Sequence, residues 1–272
     1  MEPTVSISAD DLVDETRRIW NHKAEFWDDR MGEGNAFTLE LVGPSVERLL
    51  AVQPDEVVLD VGCGNGVISR RLARLGARVI ATDFSERFLE LAAARSADLG
   101  DRITYNLIDA TDEEHLLSLG AGRFDAVVST MAMMDMPVIE PLLRATRRLL
   151  APGGRFVFSL QHPAFNSNAV GLCSETVVLP TGEDVTRFYI RVNNYLDVPA
   201  GRAGGMVGEP EPHWYFHRPL HELLGICFAA GFVLDGLEEP GFVSDAGAQR
   251  IFSWRNFIGI PPVLTIRVIP RG

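Results

Sequence analysis

Three cysteines in 272 residues, Cys63, Cys173 and Cys227, are too few and too irregularly spaced for a disulfide framework, and no Cys-x-x-Cys pair occurs. They read as reduced thiols of a cytoplasmic protein. No apolar run reaches the roughly 18 residues needed to span a bilayer, and the acidic stretch from Met1 to Asp14 lacks both the basic and the apolar region of a secretory signal. Basic residues are scarce. Against 37 Asp and Glu stand 25 Lys and Arg, for a formal net charge of −12, a field that repels phosphate backbones and anionic lipid. Neither nucleic acid nor a membrane is therefore an expected partner. His-Glu-x-x-His, a phosphate loop ending in Gly-Lys-Ser/Thr, internal repeats and low-complexity tracts are all missing.

What is present is the composition of an ordinary globular chain, 46% hydrophobic and 23% charged. From Glu56 onward strands and helices alternate. Val57–Val61, Arg78–Asp83, Ile103–Ile108, Phe124–Ser129 and Phe156–Leu160 read as strands, separated by amphipathic stretches that stop at Gly76, Gly120 and Pro152-Gly153-Gly154. Strands spaced by helices imply a parallel sheet covered on both faces. Residues 1–55, with a helix or helix pair over 12–31 and a second helix whose start is limited by Pro44, read as an N-terminal helical cap. Residues 56–160 form the core. The stretch 161–217 breaks the rhythm with Gly, Pro and Asn around two short strands near 177–179 and 187–192, as expected of a lid or acceptor insertion. Residues 218–272 supply a last helix from Pro219 and the final strands.

The chemistry centres on Val57-Val58-Leu59-Asp60-Val61-Gly62-Cys63-Gly64-Asn65-Gly66, a strand that meets a carboxylate and becomes a glycine loop opening onto a helix. Glycines there permit positive φ and clear the approach of a ligand to backbone. A pyrophosphate site would place a third glycine where Val67 stands. A zwitterion carrying a nucleoside fits better. Asp83, at the end of the second strand, can accept both ribose hydroxyls, and Asp109, at the end of the third, can accept from an adenine amino group.

VLDVGCGNG, ATDFSE, LIDATD, FDAVVSTMAMMD and APGGRFVF, in this order and spacing, resemble the successive motifs of the class I S-adenosyl-L-methionine-dependent methyltransferases over about residues 36–160. A weaker likeness to small-molecule members continues through HRPLHELLGICFAAGF and LEEP, and backwards through WNHKAEFWDDRMGEGN. The resemblance implies a Rossmann-like, doubly wound α/β fold with a seven-stranded sheet, mostly parallel with the last strand antiparallel. It also implies S-adenosyl-L-methionine as cofactor. Gly62, Cys63, Gly64 and Asn65 would lie under its methionine part, with Asp60 near the amino group. Asp83 would hold the ribose, Phe84 the adenine face, and Asp109 with Ala110 the adenine amino group. Met131 would line the methionine end, and Asn35 would help close the pocket from the cap. Ser129-Thr130-Met131-Ala132 stands where nucleobase amino-methylating relatives carry Asn/Asp-Pro-Pro-Tyr/Phe, so the expected partner is a small-molecule methyl acceptor and the expected assembly a monomer or homodimer.

Other signals weigh less. Met133, Met134 and Met136 suit irregular core filling, and Trp20 and Trp27, seven apart, suit packing of the cap. His213, His217 and His221 invite a metal site, but Pro219 breaks any helix that would align them. Should the acceptor need a base, His162 and His217 are the candidates, since histidine titrates near neutrality. The expected activity is methyl transfer to an O, N or C nucleophile; the alternatives are a module that binds the cofactor without transfer and an NAD-dependent oxidoreductase.

Overall fold

A computed structural model describes residues 8–246, 248 and 250–272; the first seven residues of the expected cap lie outside the described residues. The chain opens on α1 (Ala9–Met31), started by a capping box in which Ser8 Oγ accepts from Asp11 N and the Asp11 carboxylate accepts from Ser8 N, and ended by Gly32 at φ +51°. It is one helix, not a pair. Its buried stripe is Thr16, Ile19, Trp20, Lys23, Ala24 and Asp28, the 3–4 spacing of an amphipathic face with a lysine in the middle of it. Phe37–Val42 then winds as a π-helix that runs directly into α2 (Gly43–Leu50). The wider turn falls immediately before Pro44, whose ring would clash with the carbonyl four residues back in a regular α-helix.

The core follows as β1 (Val57–Val61), α3 (Val67–Arg74), β2 (Arg78–Asp83), α4 (Glu86–Arg95), β3 (Ile103–Leu107), α5 (Glu113–Leu117), β4 (Phe124–Thr130), α6 (Glu140–Leu149) and β5 (Leu150–Gln161). Two hairpins come next, β6 (Val170–Val178) with β7 (Asp184–Val192), and β8 (Gly201–Ala203) with β9 (His213–Tyr215). The chain closes with α7 (Leu220–Ala229), β10 (Phe232–Glu238) and β11 (Val263–Pro270). Seven strands form one sheet in the order β10-β11-β5-β4-β1-β2-β3. All run parallel except β11, which is antiparallel to both β5 and β10. The expected seven-stranded sheet, with its last strand reversed, is therefore the observed one.

Period-two alternation sorts the strand residues to two cores. Leu59, Phe124, Val127, Phe156 and Phe158 pack with α6 and α7 on one face. Val58, Ala126, Val128 and Val157 pack with α2 and α3 on the other. Both faces are covered, so β1, β2 and β4 read as apolar runs rather than alternating ones. The parallel strands β1 to β4 end together at one edge, where an open α/β sheet presents its ligand crevice.

The insertion differs from the expectation in extent and in placement. Its first two strands pair over nine residues each, from Val170↔Val192 to Val178↔Asp184. The second hairpin does not hang over the crevice. It docks on α1, where Arg18 and Arg202 bind Glu211, and Trp214 Nε1 donates to Glu15.

Candidate active site

The glycine loop takes its shape from three left-handed residues, Gly62 (φ +70°), Gly64 (+53°) and Gly66 (+74°). A Cβ on Gly62 would lie 2.7 Å from the Ala132 methyl, whereas one on Gly64 would meet nothing within 4 Å. Gly62 thus lets the segment after β4 close onto the loop, and Gly64 exposes its backbone to the crevice. Met131, the first residue of that segment, is itself left-handed at φ +52°, a strained conformation of the kind that clusters at ligand sites.

Asp83 ties the loop to β2. Its Oδ2 accepts from Gly64 N (2.9 Å) and its Oδ1 from Ser85 N (2.9 Å). A carboxylate has about four acceptor positions, so about two remain for a diol. Asp109 is engaged more heavily: Oδ1 accepts from Thr111 N and Oγ1, and Oδ2 from Arg17 at 2.5 Å. About one acceptor position is left, enough for a single amino N–H. Burial pushes the Asp83 carboxyl up to about 6 and the Cys63 thiol well above its usual range.

The cap is locked over the loop by a polar knot. Asn65 Nδ2 donates to Asp28 Oδ1 (3.2 Å) and Gly32 O (3.1 Å), Arg95 grips the Asp28 carboxylate, and the buried Arg70 donates to Asn65 O and Gly32 O. The end of α1, the loop and α4 are thereby held as one unit.

These elements enclose a cleft of about 1110 Å³, part of it open to solvent. Gly62, Cys63, Gly64, Asn65, Asp83, Phe84, Asp109, Ala110 and Met131 all line it. Asp60 and Asn35 do not. Asp60 is fully buried behind the loop, where Ser69 Oγ donates to its Oδ2 (2.5 Å) and its Oδ1 has no partner; burial raises its carboxyl to about 7. Asn35 caps the π turn instead, its Oδ1 accepting from Thr38 N (3.0 Å) and Thr38 Oγ1 (3.2 Å). It reaches the cleft only through Thr38, which is on the wall.

Neither histidine proposed as a base reaches the cleft. His162 is buried beside Phe165; Ala164 N donates to its Nδ1, so its Nε2 carries the proton and donates to Glu239 (2.8 Å). With both nitrogens spent, it has no free lone pair for an acceptor. His217 donates to Tyr195 O (2.8 Å) and lies on a separate, smaller hollow with Asn166 and Arg218. Burial lowers the pKa of both. The cause of the misplacement is topological. β5 pairs with β11 as far as Gln161 with Val263, and His162 N then donates to Pro262 O (3.0 Å), which keeps His162 beside the start of β11 and off the cleft wall.

The far end of the cleft was not legible from motifs. Val13, Thr16, Trp20 and Trp27 of α1 wall it, with Asp135, Met136 and Pro137 of the segment after β4. No residue of 161–217 is on the wall; the insertion supports it from behind. His213, on β9, packs against Trp20 (4.6 Å between ring centres, planes tilted by 47°), with Lys23 as its polar neighbour. Lys23, fully buried, spends its three donors on Glu209 Oε2 (3.0 Å), Glu211 O (3.5 Å) and His213 Nδ1. A lysine within the apolar stripe of α1, three residues after Trp20 and four before Trp27, was the available sequence signal. So was the lone acid of the methionine-rich run, Asp135.

Residues 58–154 match a family described as a methyltransferase domain. The chain is 39% identical over 124 residues to a ubiquinone biosynthesis O-methyltransferase of Caulobacter sp. (strain K31), covering 45% of this chain and 47% of that one. It is 29% identical over 191 residues to the protein of the same name from Hydrogenovibrio crunogenus (strain DSM 25203 / XCL-2), covering 68% and 77%. The chain spans about half the length of several curated relatives it matches, the Caulobacter protein among them. A crystal structure of an S-adenosylmethionine-dependent methyltransferase from Mesorhizobium loti superposes with a TM-score of 0.62 at 25% identity, over 83% of this chain and 95% of the other. The matched motifs, the reversed last strand and the glycine crevice agree with one another: residues 58–154 match a methyltransferase domain, set in a fold shared with S-adenosylmethionine-dependent methyltransferases.

Proposed function

We propose that the protein transfers a methyl group from S-adenosyl-L-methionine to an uncharged small molecule held between α1 and the segment after β4. The observation that carries this is continuity: one cleft runs from the glycine loop, Asp83 and Asp109 to Trp20, Trp27 and Asp135. A donor and an acceptor can occupy it end to end without crossing bulk water.

The residues fit the donor by count and by charge. Asp83 would hold the ribose hydroxyls with its two remaining acceptor positions, and Asp109 the adenine amino group with its last one. Gly62 and Gly64 would admit the methionine part, closed by Met131. Asp83, Asp109 and Asp135 line the cleft, and among the described residues the one cationic side chain hydrogen-bonded to any of them is Arg17, on Asp109. Such a surface favours a ligand bearing positive charge and repels a pyrophosphate, which argues against the dinucleotide alternative. When bound, the donor supplies an electrophilic methyl group on a positively charged sulfur, open to direct displacement at carbon. What the protein adds is alignment, worth ~7–11 kcal/mol in favourable cases, and exclusion of water by the cap. The wall of Val13, Trp20, Trp27, Met136 and Pro137 suits an acceptor with a flat, apolar body, and the carboxylates disfavour an anionic one. The three cysteines are free, which supports a reducing, cytoplasmic setting.

Calorimetric titration with S-adenosyl-homocysteine tests the cofactor assignment. Binding is expected in the wild type, weakened at least tenfold by Asp83→Ala; no heat at high protein concentration would remove it. Incubation with a tritiated methyl donor and a panel of neutral phenols, alcohols, amines and thiols tests transfer. Label in a neutral acceptor supports the reading, and label confined to carboxylate controls contradicts it.

A further inference from the structure

Asp135 is the one carboxylate of the cleft without a hydrogen-bond partner on its buried Oδ1. Its side chain is 10% exposed. The groups facing it come from every element around it. Lys23 of α1 and Glu209 of the insertion form an ion pair (3.0 Å), and Glu209 also accepts from Trp27 Nε1 and Gly205 N. His213 and Tyr215 face it from β9, and Arg218 braces its segment through the carbonyls of Met133, Met136 and Pro137.

None of these groups can serve as a base. Lys23 is already spent on Glu209. His213 has its Nδ1 lone pair taken by Lys23, so its proton sits on Nε2, 4.0 Å from Asp135 Oδ1; burial and the adjacent ammonium push its pKa down to about 3. Arg218 carries no lone pair to accept with, and burial holds the Tyr215 hydroxyl protonated far above neutrality. The Lys23–Glu209 pair is neutral as a unit, so nothing fixed balances a charge on Asp135. An unbalanced buried carboxylate takes up a proton, and its carboxyl is indeed held well above the usual range by burial.

The cleft around Asp135 is therefore built with a titratable negative charge and, among the described residues, no positive one that is not already paired with another carboxylate. Ala132 and Met136, which bracket Asp135 in sequence, are the side chains nearest a Cβ placed on Gly62, so the short segment that carries this carboxylate also abuts the part of the loop assigned to the methionine end. We propose that Asp135 is the counter-charge of the donor's sulfonium and the acceptor of the proton released in the transfer. This rests on the function proposed above. In the step, the nucleophile's lone pair forms the new bond to the methyl carbon and the carbon–sulfur pair stays on sulfur. The O–H or N–H proton of the acceptor passes to the Asp135 carboxylate. Cation plus carboxylate becomes neutral sulfide plus neutral acid, so the buried site never holds net charge. The device favours the charged donor over its neutral product and returns Asp135 to its resting protonated form.

The test is proton counting, independent of turnover. The 272-residue protein is titrated at pH 7 with S-adenosyl-methionine and, separately, with S-adenosyl-homocysteine, in phosphate and in Tris, whose ionisation enthalpies differ. The wild type should release up to one proton more with the sulfonium compound. Asp135→Asn, nearly isosteric, should abolish that difference and lower affinity for the sulfonium compound at least tenfold while moving that for the sulfide less than threefold. Infrared difference spectra of the wild type give a check that needs no variant: a protonated carboxyl band should vanish on adding the sulfonium compound and persist with the sulfide. Equal proton counts for the two ligands, or a difference unchanged in Asp135→Asn, overturn the inference but leave the cofactor site standing. Failure of both ligands to bind the wild type overturns the proposed function and this inference with it.

Discussion

Asp60 offers the sharpest energetic test of the loop. The carboxyl is fully buried, one oxygen held by Ser69 and the other without a partner. Burial raises it from 3.8 to about 7, a change equivalent to about 4 kcal/mol between its two protonation states. Because the folded form binds the proton more tightly than the unfolded chain, the folded state holds more protons between about pH 4 and 7. Its stability therefore falls as pH rises through that window, and the full cost is present above it. Asp83, raised to about 6, adds a contribution of the same sign, whereas His213, lowered to about 3, destabilises as pH falls below 6.5. Asp60→Asn removes only the first effect. The amide keeps the Ser69 bond through its oxygen and leaves a buried N–H group unpaired, at a cost of about 1–3 kcal/mol. The ligand-free variant should gain about 1–3 kcal/mol over the wild type at pH 8, or about 2–4 °C in melting temperature per kcal/mol. The gain should disappear or reverse near pH 4. Thermal unfolding followed by circular dichroism from pH 4 to 8 measures this. A variant curve parallel to the wild type, or lower at pH 8, would refute the argument that ionised Asp60 opposes folding.

Gly62→Ala and Gly64→Ala should separate structure from binding. Both pay roughly 1–2 kcal/mol for a left-handed residue, but only the Gly62 methyl collides with Ala132, so only that variant should lose several degrees of melting temperature. Gly64→Ala should stay folded and lose binding of S-adenosyl-homocysteine at least tenfold by calorimetry. Lys23→Met leaves Glu209 buried and uncompensated and should cost about 3–5 kcal/mol in urea unfolding; Lys23→Met with Glu209→Gln should recover most of it, and simple additivity of the two would contradict the pairing. His162→Gln should lower stability through the loss of its bond to Glu239 while leaving the pH profile of methyl transfer unchanged; loss of an inflection near neutrality would reinstate His162 as a base.

The core sheet and the glycine-loop half of the cleft were legible because they are local in sequence. Gly62 and Met131 follow their strands directly, Asp83 ends β2 and Asp109 lies two residues past β3, so once the strands are recognised, parallel packing brings those residues to one edge. The same locality misled where a residue followed a strand that ends elsewhere. His162 stands after β5 just as Met131 stands after β4, but pairing with β11 extends β5 and removes His162 from the crevice. Asp60 and Asn35 have the residue types and positions of ligand contacts, yet Asp60 is buried against Ser69 and Asn35 is engaged in capping Thr38. The far end of the cleft depended wholly on tertiary structure. It joins one face of α1 from Val13 to Trp27, a turn after β4 and, behind them, a hairpin about 190 residues from α1, as the contact between Lys23 and His213 illustrates, and no periodicity encodes which helix face meets which hairpin. The sequence by itself determined the sheet, the glycine loop and the carboxylates at the strand ends, since these follow from hydrophobic pattern and backbone freedom. Only the folded chain decided that Trp20 and Trp27 face the cleft, that Lys23 is consumed by Glu209 and His213, and that Asp135 is left alone, because each depends on which buried polar groups find partners.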